Sequence, residues 1–151
     1  MDVLFNALTM YLDDQYSNEY ITEQLSLEFE GANRIKKALR IVNKIIPNNP
    51  LCHLLIENRG TLRNVLKRRK DRNVILIAML NAAFPFSFDT LSCFGKYFSV
   101  QEYVNTETIK KDISKIYGGN RSTENGLYSV IPMFLEAEFF TRPKPGLYQY
   151  E

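Results

Sequence analysis

Apolar side chains recur at intervals of three and four residues through the first two thirds of the chain, with no two-residue alternation before the last dozen residues. Only an α-helix turns that spacing into one buried face, so the sequence predicts an all-α fold. A first helix is expected over residues 2–12, with Leu4, Phe5, Leu8, Tyr11 and Leu12 on one side. A second follows the capping residue Ser17, carries Tyr20, Ile21, Leu25 and Phe29, and stops near Gly31. The third, over 32–46, is the most cleanly divided. Ile35, Leu39, Val42 and Ile46 fall on one face, and Asn33, Lys36, Lys37, Arg40 and Lys44 fall opposite.

Pro47-Asn48-Asn49-Pro50 breaks the pattern and marks a module boundary, so the first module is 1–49. Central helices are expected over 51–57 and 61–69, then a buried helix over 74–84 capped by Asp71, and another starting at Ser87 or Asp89; together they make a central segment, 50–104. The remainder, 105–151, changes rhythm. A helix over 106–117 ends at Gly118-Gly119, and Asn120 to Thr123 open a last helix that Pro132 should kink. Short strands are expected over 138–142 and 147–150, around the turn Pro143-Lys144-Pro145-Gly146. Helix, glycine turn, helix and β-hairpin is the order of a winged helix-turn-helix. The expected architecture is thus two helix-turn-helix-like modules sharing a core around 74–98, the C-terminal one winged.

The net charge of +2 hides a strong asymmetry. Residues 59–72 hold seven bases (Arg59, Arg63, Lys67, Arg68, Arg69, Lys70, Arg72) and one acid, a local +6. The rest of the chain has 12 bases and 16 acids, which is −4. Such concentration suits a polyanion, and a cationic helix face such as Lys36, Lys37, Arg40 and Lys44 suits the major groove of duplex DNA. Both features also have a plain reading as solvated surface, or as intramolecular pairing with the acids at 13, 14, 19, 23, 28 and 30. The expected contacts are Lys36, Lys37, Arg40 and Lys44, then Arg59, Arg63, Lys67, Arg68 and Lys70. In the last module they are Arg121, Ser122, Thr123 and Asn125 at a helix N-terminus, and Arg142 and Lys144 on the wing.

Catalytic signals are missing. His53 is the only histidine and sits beside Cys52, so a nucleophile–base pair has one base to draw on. No acidic cluster has the spacing of a two-metal site, and Gly118-Gly119 lacks the lysine of a phosphate loop. The reading is therefore a non-enzyme needing no cofactor and no metal. Two scattered cysteines, the absence of a cationic leader, and an apolar run at 74–88 interrupted by Asn81, Pro85 and Ser87 point to a cytoplasmic protein without a membrane span.

Three stretches carry a family resemblance: Ala32-Asn33-Arg34-Ile35 through Ile45-Ile46, Arg72-Asn73-Val74-Ile75-Leu76-Ile77-Ala78 with Phe84-Pro85 after it, and Ser122-Thr123 leading towards Phe139-Phe140. In these the chain resembles the BrxA family of bacterial BREX phage-defence systems. The resemblance implies a small helical protein that binds double-stranded DNA without catalysis, as an accessory among other defence-complex proteins. A protein-interaction adaptor, whose basic segment meets an acidic partner, is the competing class; nine tyrosines suit such an interface.

Overall fold

The computed structural model describes residues 1–150, and 71% of them are helical, with one small antiparallel sheet. The chain divides between Ala83 and Phe84 into two compact units. The segment expected as a central stretch, 50–104, is thereby split between them.

The first unit contains α1 (Asp2–Leu12), α2 (Asn18–Glu28), α3 (Ala32–Ile45), α4 (Cys52–Glu57), α5 (Arg59–Val65) and α6 (Arg69–Ala83). Ser17 starts α2 as its sequence suggests, its hydroxyl accepting the amide of Tyr20 at 3.3 Å. Leu4, Leu8 and Leu12 of α1, Ile21 and Leu25 of α2, Val42 and Ile45 of α3, and Leu76, Ile77 and Leu80 of α6 make the core. α1 and α2 pack on α3, and α6 packs on both α1 and α3. The turn from α2 to α3 is three residues, ending at Gly31 with φ +91°, a value that favours glycine. Buried Asn49 ties two segments together: its amide nitrogen donates to the carbonyls of Ile45 (2.6 Å) and Met79 (2.9 Å), and its oxygen accepts the amide of Leu51 at 2.9 Å.

Three expectations in this unit are corrected. Asp71 lies inside the first turn of α6 and caps nothing; the helix begins at Arg69, and the amide of Arg72 already bonds the carbonyl of Arg68 at 2.9 Å. The spacing of Arg59, Arg63, Lys67 and Lys70 predicts one row on the outer face of a single helix, but Lys70 belongs to α6 and the turn that follows α5 divides the row. Val74, expected on a buried helix, is 55% exposed.

The second unit comprises α7 (Pro85–Phe98), β1 (Tyr103–Asn105), α8 (Thr106–Tyr117), α9 (Arg121–Glu136), β2 (Thr141–Lys144) and β3 (Leu147–Gln149). Proline at the first position of α7 has no amide to waste there, and the helix starts at Pro85 instead of Ser87 or Asp89; Ser87 is buried within it. Gly118, φ +95°, ends α8, and the Asn120 side chain caps α9 by accepting the amide of Thr123 at 3.0 Å. α9 continues through Pro132 to Glu136.

The expected hairpin is present, but its first strand begins at Thr141, not Glu138. It also has a partner the sequence did not announce. β3 is the middle of three antiparallel strands, pairing with β1 (Val104 opposite Tyr148) and with β2 (Lys144 opposite Leu147). Pro143 lies in the irregular register between Thr141 and Lys144 on the outer strand β2. The core of this unit is aromatic: Phe94 stacks on Phe140 at 4.5 Å between centroids and meets the Tyr148 ring edge to face at 5.3 Å.

Gly126 is in the interior of α9, where a Cβ would meet the Phe86 ring of α7 at 2.7 Å. Glycine normally weakens a helix interior by about 1 kcal/mol relative to alanine. Here the side chain would have to displace a ring that also packs edge-on to Tyr117 at 4.9 Å. Gly126→Ala is therefore expected to destabilise the wild-type chain, yet to stabilise a Phe86→Ala background by about 0.5–1 kcal/mol. Urea denaturation of the four proteins measures this, and additive effects would refute the steric account.

Candidate nucleic-acid interface

Helix α3 contains no acidic residue and five bases. At 100° per residue, Asn33, Lys36, Lys37, Arg40 and Lys44 occupy a stripe about 100° wide, and all five are exposed. Lys36, Lys37 and Arg40 pair with no carboxylate among the described residues. Only the C-terminal half of the helix anchors it. Val42 and Ile45 are buried, whereas Ile35 and Leu39 are half-buried, so the first two turns stand at the margin of the core. Arg34 lies off the stripe, with its guanidinium 5.4 Å from the Phe29 ring centre in the preceding turn.

The 59–72 segment behaves differently from its charge count. Arg59 donates two hydrogen bonds to Asp14, at 3.1 and 3.2 Å. Arg63 donates to Asp13 at 2.8 Å and to the carbonyl of Leu12 at 3.0 Å. Asp14 takes a φ of +56°, in the left-handed region, immediately after α1 ends. The end of α1, with its negative dipole, the Leu12 carbonyl and two carboxylates, is thus a local anion that two arginines already serve. Arg72 stacks over the Phe5 ring at 4.4 Å. That leaves Lys67, Arg68 and Lys70 exposed and without a carboxylate partner among the described residues. Lys70 also stands in the first turn of α6, where the helix dipole disfavours positive charge.

In the second unit Arg121, Ser122 and Asn125 are exposed at the start of α9. Thr123 is not: it is 4% exposed, and its amide and hydroxyl both bond the Asn120 side chain, so its side chain serves the cap. Arg142 and Lys144 are exposed on β2. Residues 105–151 carry six bases and six acids, and Lys110 is already bound to Glu124 at 3.1 Å. Tyr97 donates to Asp112, which pushes the phenol up to about 12 and lowers the carboxyl below its usual range.

His53 is exposed on α4 beside half-buried Cys52. Among the described residues no three His, Cys, Asp or Glu side chains gather as metal ligands, and no helix is long and apolar enough to cross a membrane. The chain matches no family model, no curated protein and no solved structure.

The sequence shows which residues are basic but not how they divide. The acids at 13 and 14 were visible as rivals for the basic segment; their choice of Arg59 and Arg63, more than 40 positions away, depends on how α5 meets the end of α1.

Proposed function

We propose that the chain is a non-catalytic double-stranded DNA-binding protein that contacts phosphates through the exposed face of α3. The observation that carries this reading is the acid-free stripe of Lys36, Lys37, Arg40 and Lys44, of which three have no intramolecular carboxylate to neutralise them. Like charges held along one helix face cost stability unless a polyanion offsets them. In this reading α2, the three-residue turn and α3 act as a helix-turn-helix, with α3 entering the major groove. Lys67, Arg68 and Lys70 are the flanking phosphate contacts. Arg59 and Arg63 are left to hold α1. The second unit, from α8 through the glycine turn and α9 to the hairpin, has the order of a winged helix-turn-helix, and its charge balance gives it no share in the electrostatic term. An accessory role in bacterial phage defence, which the resemblance to the BrxA family implies, is part of the same proposal.

Each neutralised phosphate releases counterions, so log Kd should vary with log salt by about 0.9 per contact. Lys36→Ala, Lys37→Ala and Arg40→Ala combined should reduce that slope by about two to three units and weaken unrelated duplexes alike. Fluorescence anisotropy of both proteins on two duplex sequences at several salt concentrations is the measurement, with circular dichroism melts to verify folding. Unchanged affinity and slope in the folded variant would overturn the proposal.

A further inference from the structure

Helix α2 is the electrical opposite of α3. It contains Glu19, Glu23 and Glu28 and no base, where α3 contains five bases and no acid. The two helices pack on each other. Yet among the described residues neither Glu19 nor Glu23 pairs with a base, and Lys36, Lys37 and Arg40 pair with no carboxylate. Their charged faces turn away from the contact that joins the helices.

At 100° per residue Glu19, Glu23, Leu27 and Tyr20 share one stripe about 100° wide, opposite buried Ile21 and Leu25, and all four are exposed. Leu27 is 87% exposed, an apolar side chain almost wholly in solvent on an otherwise acidic row. The Gln24 amide donates to the Tyr20 hydroxyl at 3.1 Å and holds the ring at the edge of this stripe. Neither face serves the folded monomer. Glu19 with Glu23, and Lys36 with Arg40, are like charges four residues apart, a spacing that costs a helix stability.

The two rows match in spacing. Glu23 and Leu27 stand four apart on α2, as Lys37 and Ile41 do on α3, where Ile41 is 43% exposed at the margin of the basic stripe. Four residues rise about 6 Å along either helix, so one alignment sets Glu23 against Lys37 and Leu27 against Ile41.

We infer that α2 of one copy of this chain docks on α3 of a second copy, acids on bases and Leu27 on Ile41, in a two-fold pair. Each chain owns both faces, so the two-fold operation makes the contact twice. Each row also has a single sign of charge, which selects the occupant: a second copy satisfies both rows, whereas a polyanion satisfies α3 and is repelled by α2. Two helix faces fall short of the area of a permanent dimer, so the pair is transient and grows with concentration. The inference goes beyond the DNA reading and stands without it, because it gives α2 a partner and its test contains no nucleic acid.

The test is sedimentation velocity of the full chain from about 10 µM to 1 mM, the range of weak pairs, with circular dichroism melts of every variant. The wild type should pass from monomer to dimer at about 0.05 M salt and stay monomeric at about 0.5 M, where surface charges are screened. Glu19→Lys with Glu23→Lys should abolish the pair, as should Lys37→Glu with Arg40→Glu. An equimolar mixture of these two variants should dimerise again, because reversal on both sides restores opposite signs at both contacts. Leu27→Ser, which leaves every charge in place, should weaken the wild-type pair by about tenfold. A wild type that remains monomeric at about 1 mM, assemblies larger than a dimer, pairing that either charge reversal leaves unchanged, or a mixture of the folded variants that stays monomeric would each overturn the inference.

Discussion

Phe94→Ala should lower the stability of the unit formed by Phe84–Glu151 by about 3–5 kcal/mol, more than any other single truncation in that unit. Phe94 is 1% exposed and sits at the meeting point of three elements. Its ring stacks on Phe140 at 4.5 Å and on Phe98 at 5.9 Å, and it meets Tyr148 and Phe134 edge to face at 5.3 and 6.5 Å. Truncation removes the burial of a whole ring and leaves a cavity whose walls are themselves rings, which cannot collapse inward as aliphatic chains do. Each lost aromatic pair adds about 0.5–1.5 kcal/mol beyond area. Phe94→Leu keeps most of the volume and should cost less than half as much. Guanidinium denaturation followed by near-ultraviolet dichroism reads the change, because Tyr148 is in the cluster and the chain has no tryptophan. A loss below about 1 kcal/mol would show that the ring cluster is not the centre of the core.

Asn49 should be the most sensitive polar position of the first unit. It is 2% exposed, and its amide makes three bonds to backbone groups: the carbonyls of Ile45 and Met79 and the amide of Leu51. Ile45 closes α3, where the carbonyls have no further turn to bond, so Asn49 serves as a side-chain partner for that end. Asn49→Ala should cost about 2–4 kcal/mol, since buried backbone groups lose their partners. Asn49→Asp, nearly the same shape, should cost more at neutral pH. It replaces a donor to two carbonyls with an anion facing them in a buried site. Thermal denaturation of both variants tests the order, and an aspartate variant more stable than the alanine one would refute the assignment of the amide.

Most of the helical layout was legible because a 3.6-residue period needs only local sequence. α1 and α8 start and stop where apolar spacing and Gly118 place them, and α2 starts after Ser17 but stops at Glu28, leaving Phe29, expected on the helix, in extended backbone. The cationic face of α3 was legible for the same reason. What escaped was non-local. β1 is three residues long with one buried side chain, Val104, and it is a strand only because Leu147–Gln149 pair with it from more than 40 positions away. The start of α6 was misplaced because Asp71 has the residue type of a cap, while the hydrogen-bond ladder had already begun before it. The fate of Arg59 and Arg63 was likewise hidden, for charge can be counted along a sequence but paired only in space.

The outer strand β2 has a consequence for how this protein meets other copies of itself. An open sheet margin is a row of free donors and acceptors on which a second chain can build, the route by which small sheets polymerise. On β2 that row is interrupted at Pro143, which has no donor to offer, and is flanked by Arg142 and Lys144, whose charges would be brought against those of an identical neighbour. All four residues of the strand face solvent, so nothing else shields it. The proline on β2 thus closes that margin of the sheet to a further strand, while β1 forms the other margin.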